Sequence, residues 1–383
     1  MTSPATLAEL ETAQMLVRAL VEDADEETCR SQQHPDLSPL GWHLAHCVYV
    51  ECYWLREVVA GDARITRPLE KIYMPPHVPK PERGRLLPPR AVLVQWARDL
   101  QQENLHRLAA RDGGHPLLRD EYLQGFLIQH YSQHYETMLM ILTEREKQNV
   151  DASFTVDDPL QAAPPDTDAV AVPAGHYRIG GQRPLAYDNE LPVQRARLGP
   201  YRISKRPVSN AGYLAFMEDG GYRNRTFWSE AGWRWRQAHA GRQSPEHWCR
   251  DAAGHWHGVG VRGAYPLTPD EPVLGLTRFE AEAVARWAGG QLPHEYQWEA
   301  ACRLGLLEQS GRVWEWCANS FMPYEGFEAF PYREYSEPWF DGNHYVLRGG
   351  SLHTRPAIRR PSFRNFHEPH KGYIFAGVRP VFD

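Results

Sequence analysis

The chain has 383 residues, of which 42% are hydrophobic, and its mean hydropathy is -0.58. At roughly 100–200 residues per domain this length predicts two or three domains. The apolar share is enough for a sizeable core, whereas the low hydropathy excludes an integral membrane protein. The 42 Lys and Arg against 48 Asp and Glu leave a net charge of -6, which argues against nucleic-acid binding through a basic surface.

The N-terminal residues and the cysteines indicate the compartment. Residues 1–11 have neither the basic start nor the apolar stretch of a secretory signal. None of the six cysteines forms a C-x-x-C pair, so their spacing predicts neither a zinc site nor a redox motif. We therefore expect reduced thiols in a cytoplasmic protein.

Residues 1–148 have the pattern of long amphipathic helices, with only three of the 13 tryptophans. The second helix is predicted to begin at Ser38-Pro39, with Ser38 as N-cap and Pro39 at the first helical position. Four helices with one longer connection are typical of a four-helix bundle. The predicted helices cover about 7–22, 39–59, 90–110 and 118–147.

Residues 149–172 are polar, acidic and proline-bearing, which indicates a linker. From residue 173 to 383 the chain is rich in Gly, Trp, Tyr and Pro, and short strand-like pieces alternate with irregular stretches. The sequence therefore predicts a second, α+β domain over 173–383. Its clearest elements are strands at Tyr201–Ile203 and Tyr345–Leu347 and helices at Thr277–Trp287 and Pro293–Leu304.

The fourth predicted helix places two histidines on its apolar face. His130 and His134 share the three-to-four spacing of the apolar residues, so both should face the bundle core. Two imidazoles at i and i+4 can bind one metal ion, and the run lacks the glutamate of the H-E-x-x-H proteases. The apolar members of this stripe are Leu123, Phe126, Leu127, Met138 and Ile141.

A third ligand would have to come from another helix. The second helix offers His43 and His46, and helical periodicity places each of them on a plausible inward stripe. Spacing alone therefore leaves the choice open. Three neutral imidazoles without a carboxylate would suit a catalytic iron, zinc or copper ion with open positions.

Five segments of the second domain, together with the helical first domain, resemble a known family. The order of the two domains resembles that of the ergothioneine-pathway sulfoxide synthases, in which a DinB-type bundle precedes a domain shared with formylglycine-generating enzymes. That family includes ovothiol enzymes and selenoneine synthase. The segments are Leu292–Ala301, Gly311–Cys317, Val346–Ser351, Arg360–Phe366 and Phe375–Arg379.

The resemblance implies a fold, an activity and a metal centre. It implies a DinB-like four-helix bundle followed by a C-type-lectin-like domain. It also implies a non-haem Fe(II) enzyme that uses O2 to join a thiol or selenol donor, such as a selenosugar, to a histidine derivative such as hercynine. By motif, the iron ligands would be His46 in Leu-Ala-His and the pair His130 and His134. His43 would then be a neighbouring or packing residue.

The same resemblance argues against formylglycine generation itself. Those enzymes need a cysteine pair shortly after the Arg-Gly-Gly-Ser segment, because their metal binds thiolates. The matching residues 351–359 contain no cysteine.

The resemblance also implies substrate contacts in the first domain. Gln133 matches a glutamine that helps to hold the histidine-derived substrate. Arg83 matches one of two arginines that bind the carboxylates of γ-glutamylcysteine, but Lys80 stands at the other position and lacks the bidentate fork. This departure favours a different donor, a selenium-bearing sugar among them.

Further implied contacts lie in the second domain. Phe366-His367 stands where some members have Trp-Asp, so a cation–π contact to a trimethylammonium group remains available while the acidic partner is lost. A tyrosine after the Trp-Glu-Trp motif would donate a proton near the iron. Tyr324 is the favoured candidate, with Tyr332 and Tyr335 as alternatives.

Two other classes of function fit the residues. A metal-dependent thiol transferase would use the same histidines without O2. A lectin-like binding module on a structural bundle would need no metal and would tolerate replacement of His130.

Overall fold

The computed structural model of the protein describes residues 2–110, 114–165 and 168–383. The chain divides into two compact units. Unit 1 comprises Met1–Arg145 with the short segments Arg183–Leu185 and Arg355–Ile358, and unit 2 comprises the remainder. None of the helices in these described ranges is long and apolar enough to cross a bilayer.

Unit 1 is a bundle of long helices, which confirms the predicted helical class. The long helices are α1 (Pro4–Glu22), α2 (Leu40–Cys52), α3 (Arg90–Ala110) and α4 (Tyr122–Gln148). Helices α1, α2 and α3 pack against one another. Helix α3 has the bounds that the sequence predicts, and α4 begins four residues later than predicted, after a 3-10 turn at Pro116–Glu121.

The start of α2 differs from the prediction. Pro39 is the N-cap, without a side-chain cap, and Ser38 lies before it. The Ser38 hydroxyl accepts a hydrogen bond of 2.6 Å from Arg83 Nη1 instead of capping the helix. At its other end α2 continues into a π-helical turn over Tyr53–Val58. Shorter helices occupy Glu26–Arg30, Glu70–Tyr73 and Lys80–Arg83.

The core of unit 1 contains a fully buried acidic group, Glu51. Glu51 accepts hydrogen bonds from Gln14 Nε2 and, at 2.6 Å, from the Tyr131 hydroxyl. Burial raises the pKa of Glu51 to about 7. The apolar core around it includes Leu10, Val17, Leu44, Leu93, Phe126 and Leu127.

Within its described residues, unit 2 combines short helices with four small sheets, as the predicted α+β class requires. The sheets have strand orders β1-β4-β12, β10-β9-β8-β11, β2-β3 and β5-β6-β7, and all neighbours are antiparallel except β8 and β11. The helices are α5 (Asn210–Glu218), α6 (Glu230–Ala238), α7 (Arg278–Trp287) and α8 (Glu295–Arg303). The strands are β1 (Ala169–Val172), β2 (Gly175–Ile179), β3 (Gln194–Leu198), β4 (Tyr201–Ser204), β5 (Trp248–Arg250), β6 (Trp256–Gly260), β7 (Gly263–Pro266), β8 (Trp314–Ser320), β9 (Tyr345–Arg348), β10 (Asn365–His367), β11 (Ala376–Gly377) and β12 (Val381–Phe382).

Strand β1 lies inside the segment predicted as a linker. Its Ala-Val-Ala-Val residues pair with β4, where Val170 is opposite Ile203. Alternating β-branched residues favour an extended strand that has one face buried, and Val172 is 1% exposed in the cluster with Ile203. The ordered second unit therefore begins earlier along the chain than composition indicates.

A buried ion-pair network holds α8 against the strand β9. The Glu295 carboxylate accepts hydrogen bonds from Arg364 Nε and Nη2, both 2.8 Å, and from Arg348 Nη2 at 2.6 Å. Arg348 also lies 3.0 Å from Glu299. Burial by itself would raise the pKa of Glu295, but the charges of Arg364 and Arg348 outweigh it and lower the pKa to about 2.

Candidate metal centre

Three histidines from two helices of unit 1 come together. His46 lies on α2, and His130 and His134 lie one turn apart on α4. One ring nitrogen from each lies within 4.8 Å of the others. The ring centroids are 4.5 to 5.3 Å apart. The structure thus brings together the three residues that the motif resemblance names as ligands.

The orientation of His46 is fixed by its neighbours. Its Nδ1 lies 2.7 Å from the carbonyl oxygen of Tyr73, which can only accept a hydrogen bond. The ring also stacks on Trp42 at 4.8 Å, with the two planes 8° apart. Because Nδ1 must carry the hydrogen, Nε2 keeps its lone pair for a metal.

His43 lies outside the three-histidine group. Its Nδ1 is 2.9 Å from Nδ1 of His134, and its ring meets Trp42 edge to face. Helical periodicity left His43 and His46 as equal candidates. The geometry puts a ring nitrogen of His46 in the group and pairs His43 with Nδ1 of His134.

Burial keeps the imidazoles neutral. It lowers the pKa of His43 to about 3, and it lowers the pKa of His46 to about 4 despite the opposing Tyr73 hydrogen bond. Burial, together with the mutual repulsion of the rings, holds the pKa values of His130 and His134 well below the usual range. Neutral imidazoles have the free lone pairs that metal binding requires.

The donor set fits a divalent transition metal. Across 2–110, 114–165 and 168–383, the cluster contains three histidines and no carboxylate or thiolate. The buried Nδ1 of His130 and Nε2 of His43 have no hydrogen-bond partner within the same ranges. Imidazole ligands suit iron, zinc, copper or nickel, and three of them leave coordination positions open for reactants.

The basic residues assigned to substrate contact in unit 1 are engaged by the protein itself. Arg83 is 5% exposed and donates to the carbonyls of Val78 and Pro75 as well as to Ser38, and its guanidinium lies 4.0 Å from the centre of the Trp42 ring. Lys80 Nζ donates to the Asp36 carbonyl at 2.7 Å. These contacts hold the segment that leads into α2.

Gln133 and the aromatic pair in unit 2 are partly exposed. Gln133 precedes His134 on α4, and its carbonyl accepts a hydrogen bond from Thr137. Phe366 and His367 lie on β10, where Phe366 stacks on Phe321 at 4.1 Å. Their assignment to substrate binding stays a prediction.

The three candidate tyrosines differ in their surroundings. Tyr324 is 3% exposed. Its hydroxyl accepts a hydrogen bond from Arg348 Nη2 at 3.1 Å and donates one to Glu295 Oε2 at 3.5 Å. Burial, with the charge of Glu295, raises its pKa. Tyr332 and Tyr335 are partly exposed. Tyr324 therefore belongs to the ion-pair network of unit 2, and its role as proton donor stays a prediction.

Sequence reasoning missed the groups that orient the ligands. No sequence signal identifies the Tyr73 carbonyl, because every residue has one. Trp42 could have been found, since it lies four residues before His46 on the same stripe. Sequence reasoning also missed the buried Glu51, although it is the one carboxylate within Leu40–Cys52.

Comparisons with known proteins agree with this architecture. Residues 9–138 match the DinB superfamily, and residues 156–310 and 303–383 match the sulfatase-modifying factor enzyme 1-like domain. A hercynine oxygenase from Mycobacterium tuberculosis is 33% identical and aligns over 100% of both chains. Another from Mycolicibacterium thermoresistibile is also 33% identical, over 94% of this chain and 91% of its own.

A less similar relative is also named for ergothioneine biosynthesis. Ergothioneine biosynthesis protein 1 from Schizosaccharomyces pombe is 26% identical over 51% of this chain and 27% of its own length. The full-length matches at 33% identity establish the family and confirm the resemblance found in the motifs. The chain therefore belongs to the hercynine oxygenase family, with a DinB-type helical domain followed by a sulfatase-modifying-factor-like domain.

Proposed function

We propose that this protein is an O2-dependent non-haem iron(II) oxidoreductase that forms a C–S or C–Se bond on the imidazole of hercynine. The product would be a sulfoxide or selenoxide in ergothioneine or selenoneine biosynthesis. The observation that carries the proposal is the group of buried His46, buried His130 and partly exposed His134 in a chain that matches hercynine oxygenases over its whole length. The six free cysteines fit a reducing compartment such as the cytoplasm.

An iron ion held by these histidines would supply O2 activation and a position that stabilises a thiolate or selenolate. The electron balance suits one O2 per turnover. Joining S–H or Se–H to an imidazole C–H releases one electron pair, and oxidising the chalcogen releases another. One oxygen atom then remains on the chalcogen and the other leaves as water.

The residues of unit 1 would hold and orient the centre. His46 presents Nε2 because its Nδ1 is bonded to the Tyr73 carbonyl. Trp42 supports the ring of His46 and is itself anchored by its Nε1, which donates to the Ile72 carbonyl at 3.1 Å. Histidine rings that cannot rotate would keep the metal's open positions for the donor and the histidine derivative in place. The reaction of these two molecules with O2 would then be nearly intramolecular.

The substrate contacts are proposed from the motif matches. Gln133 would bind the histidine derivative, Phe366 and His367 would approach its trimethylammonium group, and Tyr324 would donate a proton. Lys80 and Arg83 would meet the donor. Since three protein groups already accept hydrogen bonds from Arg83, the two residues suit a γ-glutamylcysteine carboxylate poorly, and we propose a smaller thiol or a selenosugar as donor.

A donor screen tests the proposal. The protein, loaded with Fe(II), is given hercynine and air with cysteine, γ-glutamylcysteine or a 1-selenosugar, and the products are identified by mass spectrometry. We expect one conjugate whose mass includes one added oxygen. No conjugate of hercynine with any of these donors would contradict the proposal.

Oxygen dependence separates the proposal from its main rival. A metal-dependent thiol transferase would form product under strict anaerobiosis. We expect product only when O2 is admitted, with one O2 consumed for each conjugate.

A further inference from the structure

Two imidazoles next to the metal centre are joined by a direct hydrogen bond. Nδ1 of His43 and Nδ1 of His134 are 2.9 Å apart, and the ring centroids are 5.1 Å apart. His43 lies on α2 one turn before His46, so both helices of the centre take part in this contact. His43 is 6% exposed and is therefore shielded from solvent.

A hydrogen bond between two neutral imidazole nitrogens contains one hydrogen, which leaves two arrangements. If His134 Nδ1 carries the hydrogen, Nε2 of His134 has a free lone pair. If His43 Nδ1 carries it, Nε2 of His134 is an N–H group that cannot bind a metal. Only the first arrangement allows His134 to act as a ligand, and it requires His43 to be the acceptor.

The contact parallels the one at His46. There the Tyr73 carbonyl accepts from Nδ1, at 2.7 Å, and fixes the ring with Nε2 free. For His134, the described residues supply no carbonyl in that role, and the His43 ring takes its place. Such outer hydrogen bonds fix the tautomer and ring orientation of metal-binding histidines.

The surroundings hold the His43 ring in position. Its ring lies edge to face against Trp42 at 5.5 Å, and Trp42 is in turn covered by Arg83 at 4.0 Å. As acceptor at Nδ1, His43 would carry its own hydrogen on Nε2, a buried atom without a hydrogen-bond partner in the parts of the chain that the structure describes. An unpaired buried donor costs stability, which disfavours a purely structural reason for a histidine here.

We propose that His43 is a positioning residue that accepts the Nδ1–H of His134 and so keeps Nε2 of His134 available to the metal. This rests on the proposed function, because it assumes that His134 binds the metal. His43 does not itself bind the ion. It sets the tautomer and the angle of a ligand ring.

Replacement of His43 by Phe and by Asn tests this role. Phe keeps an aromatic ring against Trp42 but removes the acceptor, whereas Asn can place its amide oxygen near the position of Nδ1. The readouts are the dissociation constants of Co²⁺ and Fe²⁺ added alone, the visible spectrum of bound Co²⁺, and the unfolding midpoint of the metal-free protein.

We expect His43→Phe to weaken metal binding about 10- to 100-fold, the range typical of lost outer hydrogen bonds. His43→Asn should stay within about threefold of the unchanged protein because it keeps an acceptor. The metal-free His43→Phe protein should unfold at a midpoint close to that of the unchanged protein, since it loses one unpaired donor at Nε2 of His43 and leaves another at Nδ1 of His134. His43→Leu serves as a second variant without an acceptor if the Phe variant does not fold.

Each contrary result has a distinct meaning. Unchanged metal affinity in the folded Phe or Leu variant would overturn the role of His43 while leaving the proposed function intact. Equal losses in the Phe and Asn variants would also overturn it, since packing and not the acceptor would then matter. Absence of stoichiometric metal binding in the unchanged protein would instead defeat the proposed function.

Discussion

Unit 1 and unit 2 each bury a cluster of ionisable side chains, and the two clusters treat charge in opposite ways. In unit 1 the group of His46, His130 and His134 is neutral, with no carboxylate in it among the residues described. In unit 2 the carboxylate of Glu295 lies within hydrogen-bonding distance of two guanidinium groups, those of Arg348 and Arg364.

The difference indicates what each cluster is for. A buried charge is tolerated when it is paired, so the ion pairs of Glu295 with Arg348 and Arg364 can hold α8, β9 and the Arg364 segment together without a ligand. The buried imidazoles have ring nitrogens without hydrogen-bond partners in the described part of the chain, and their lone pairs can be satisfied by a bound cation. The first cluster therefore points to chemistry and the second to the fold.

The largest expected effect comes from removing a ligand. His134→Ala should abolish stoichiometric metal binding and lower product formation by at least about a thousandfold, because two histidines cannot hold the ion in a reactive geometry. Metal content and product yield measure this. His106→Ala is the matched control, since His106 is an exposed histidine on α3 of the same unit. Full turnover by His134→Ala would refute the ligand assignment.

Breaking the ion-pair network of unit 2 should lower the free energy of unfolding without changing the metal affinity. Glu295→Gln leaves the buried Arg364 without its carboxylate and Arg348 with Glu299 alone, so we expect a loss of about 3–5 kcal/mol in the free energy of unfolding. Urea unfolding measures it, with metal affinity as the second readout.

The control for this variant is Glu230→Gln, because the Glu230 side chain is 75% exposed and its ion pair lies at the surface. It should change stability by less than about 0.5 kcal/mol. An effect of Glu295→Gln as small as that of the control would show that the network does not stabilise unit 2.

Acid should affect the two clusters in different pH windows. The folded pKa of His46, about 4, is below its usual 6.5, so the unfolded chain binds more protons at this site and the site destabilises unit 1 as pH falls from 6.5 towards 4. The lowered pKa values of His43, His130 and His134 act in the same direction and outnumber the opposite effect of Glu51. The folded pKa of Glu295, about 2, is below its usual 4.5, so unit 2 loses its contribution only as pH falls from 4.5 towards 2.

Hydrogen exchange of the metal-free protein, corrected for the intrinsic effect of pH, can follow α4 and α8 separately. We expect the amides of α4 to lose protection first as the pH is lowered. Loss of protection in α4 only below pH 4.5, together with α8, would contradict the separation of the two clusters, because His46 would then not destabilise unit 1 in its own window.

The smallest expected effect concerns Tyr324. Tyr324→Phe removes one hydroxyl from the network and should lower the free energy of unfolding by about 1 kcal/mol without changing metal affinity. Product formation by the folded variant tests the proton-donor prediction separately. A loss of more than about tenfold in turnover supports that role, whereas unchanged turnover would move it to Tyr332 or Tyr335.

Much of the fold could be predicted because local patterns decide it. Helix α3 begins at Arg90 and ends at Ala110 as predicted, and His130 and His134 lie on the stripe that periodicity indicates. The four-residue spacing on α4 is enough to place two ring nitrogens near one point.

The rest depends on contacts between residues far apart in the sequence. Ser38 fails as an N-cap because Arg83 takes its hydroxyl, a partner 45 residues away. Which of His43 and His46 joins the three-histidine group likewise depends on the carbonyl of Tyr73 and on His134 on another helix. Periodicity describes one helix at a time and cannot decide such cases.

X-ray absorption at the iron edge tests the central claim most directly. The protein, loaded with Fe(II) without substrates, should contain one iron per chain with three imidazole ligands, and His46→Ala should lose that signal. A protein that binds no stoichiometric iron, or a His46→Ala variant with an unchanged spectrum, would contradict the three-histidine centre.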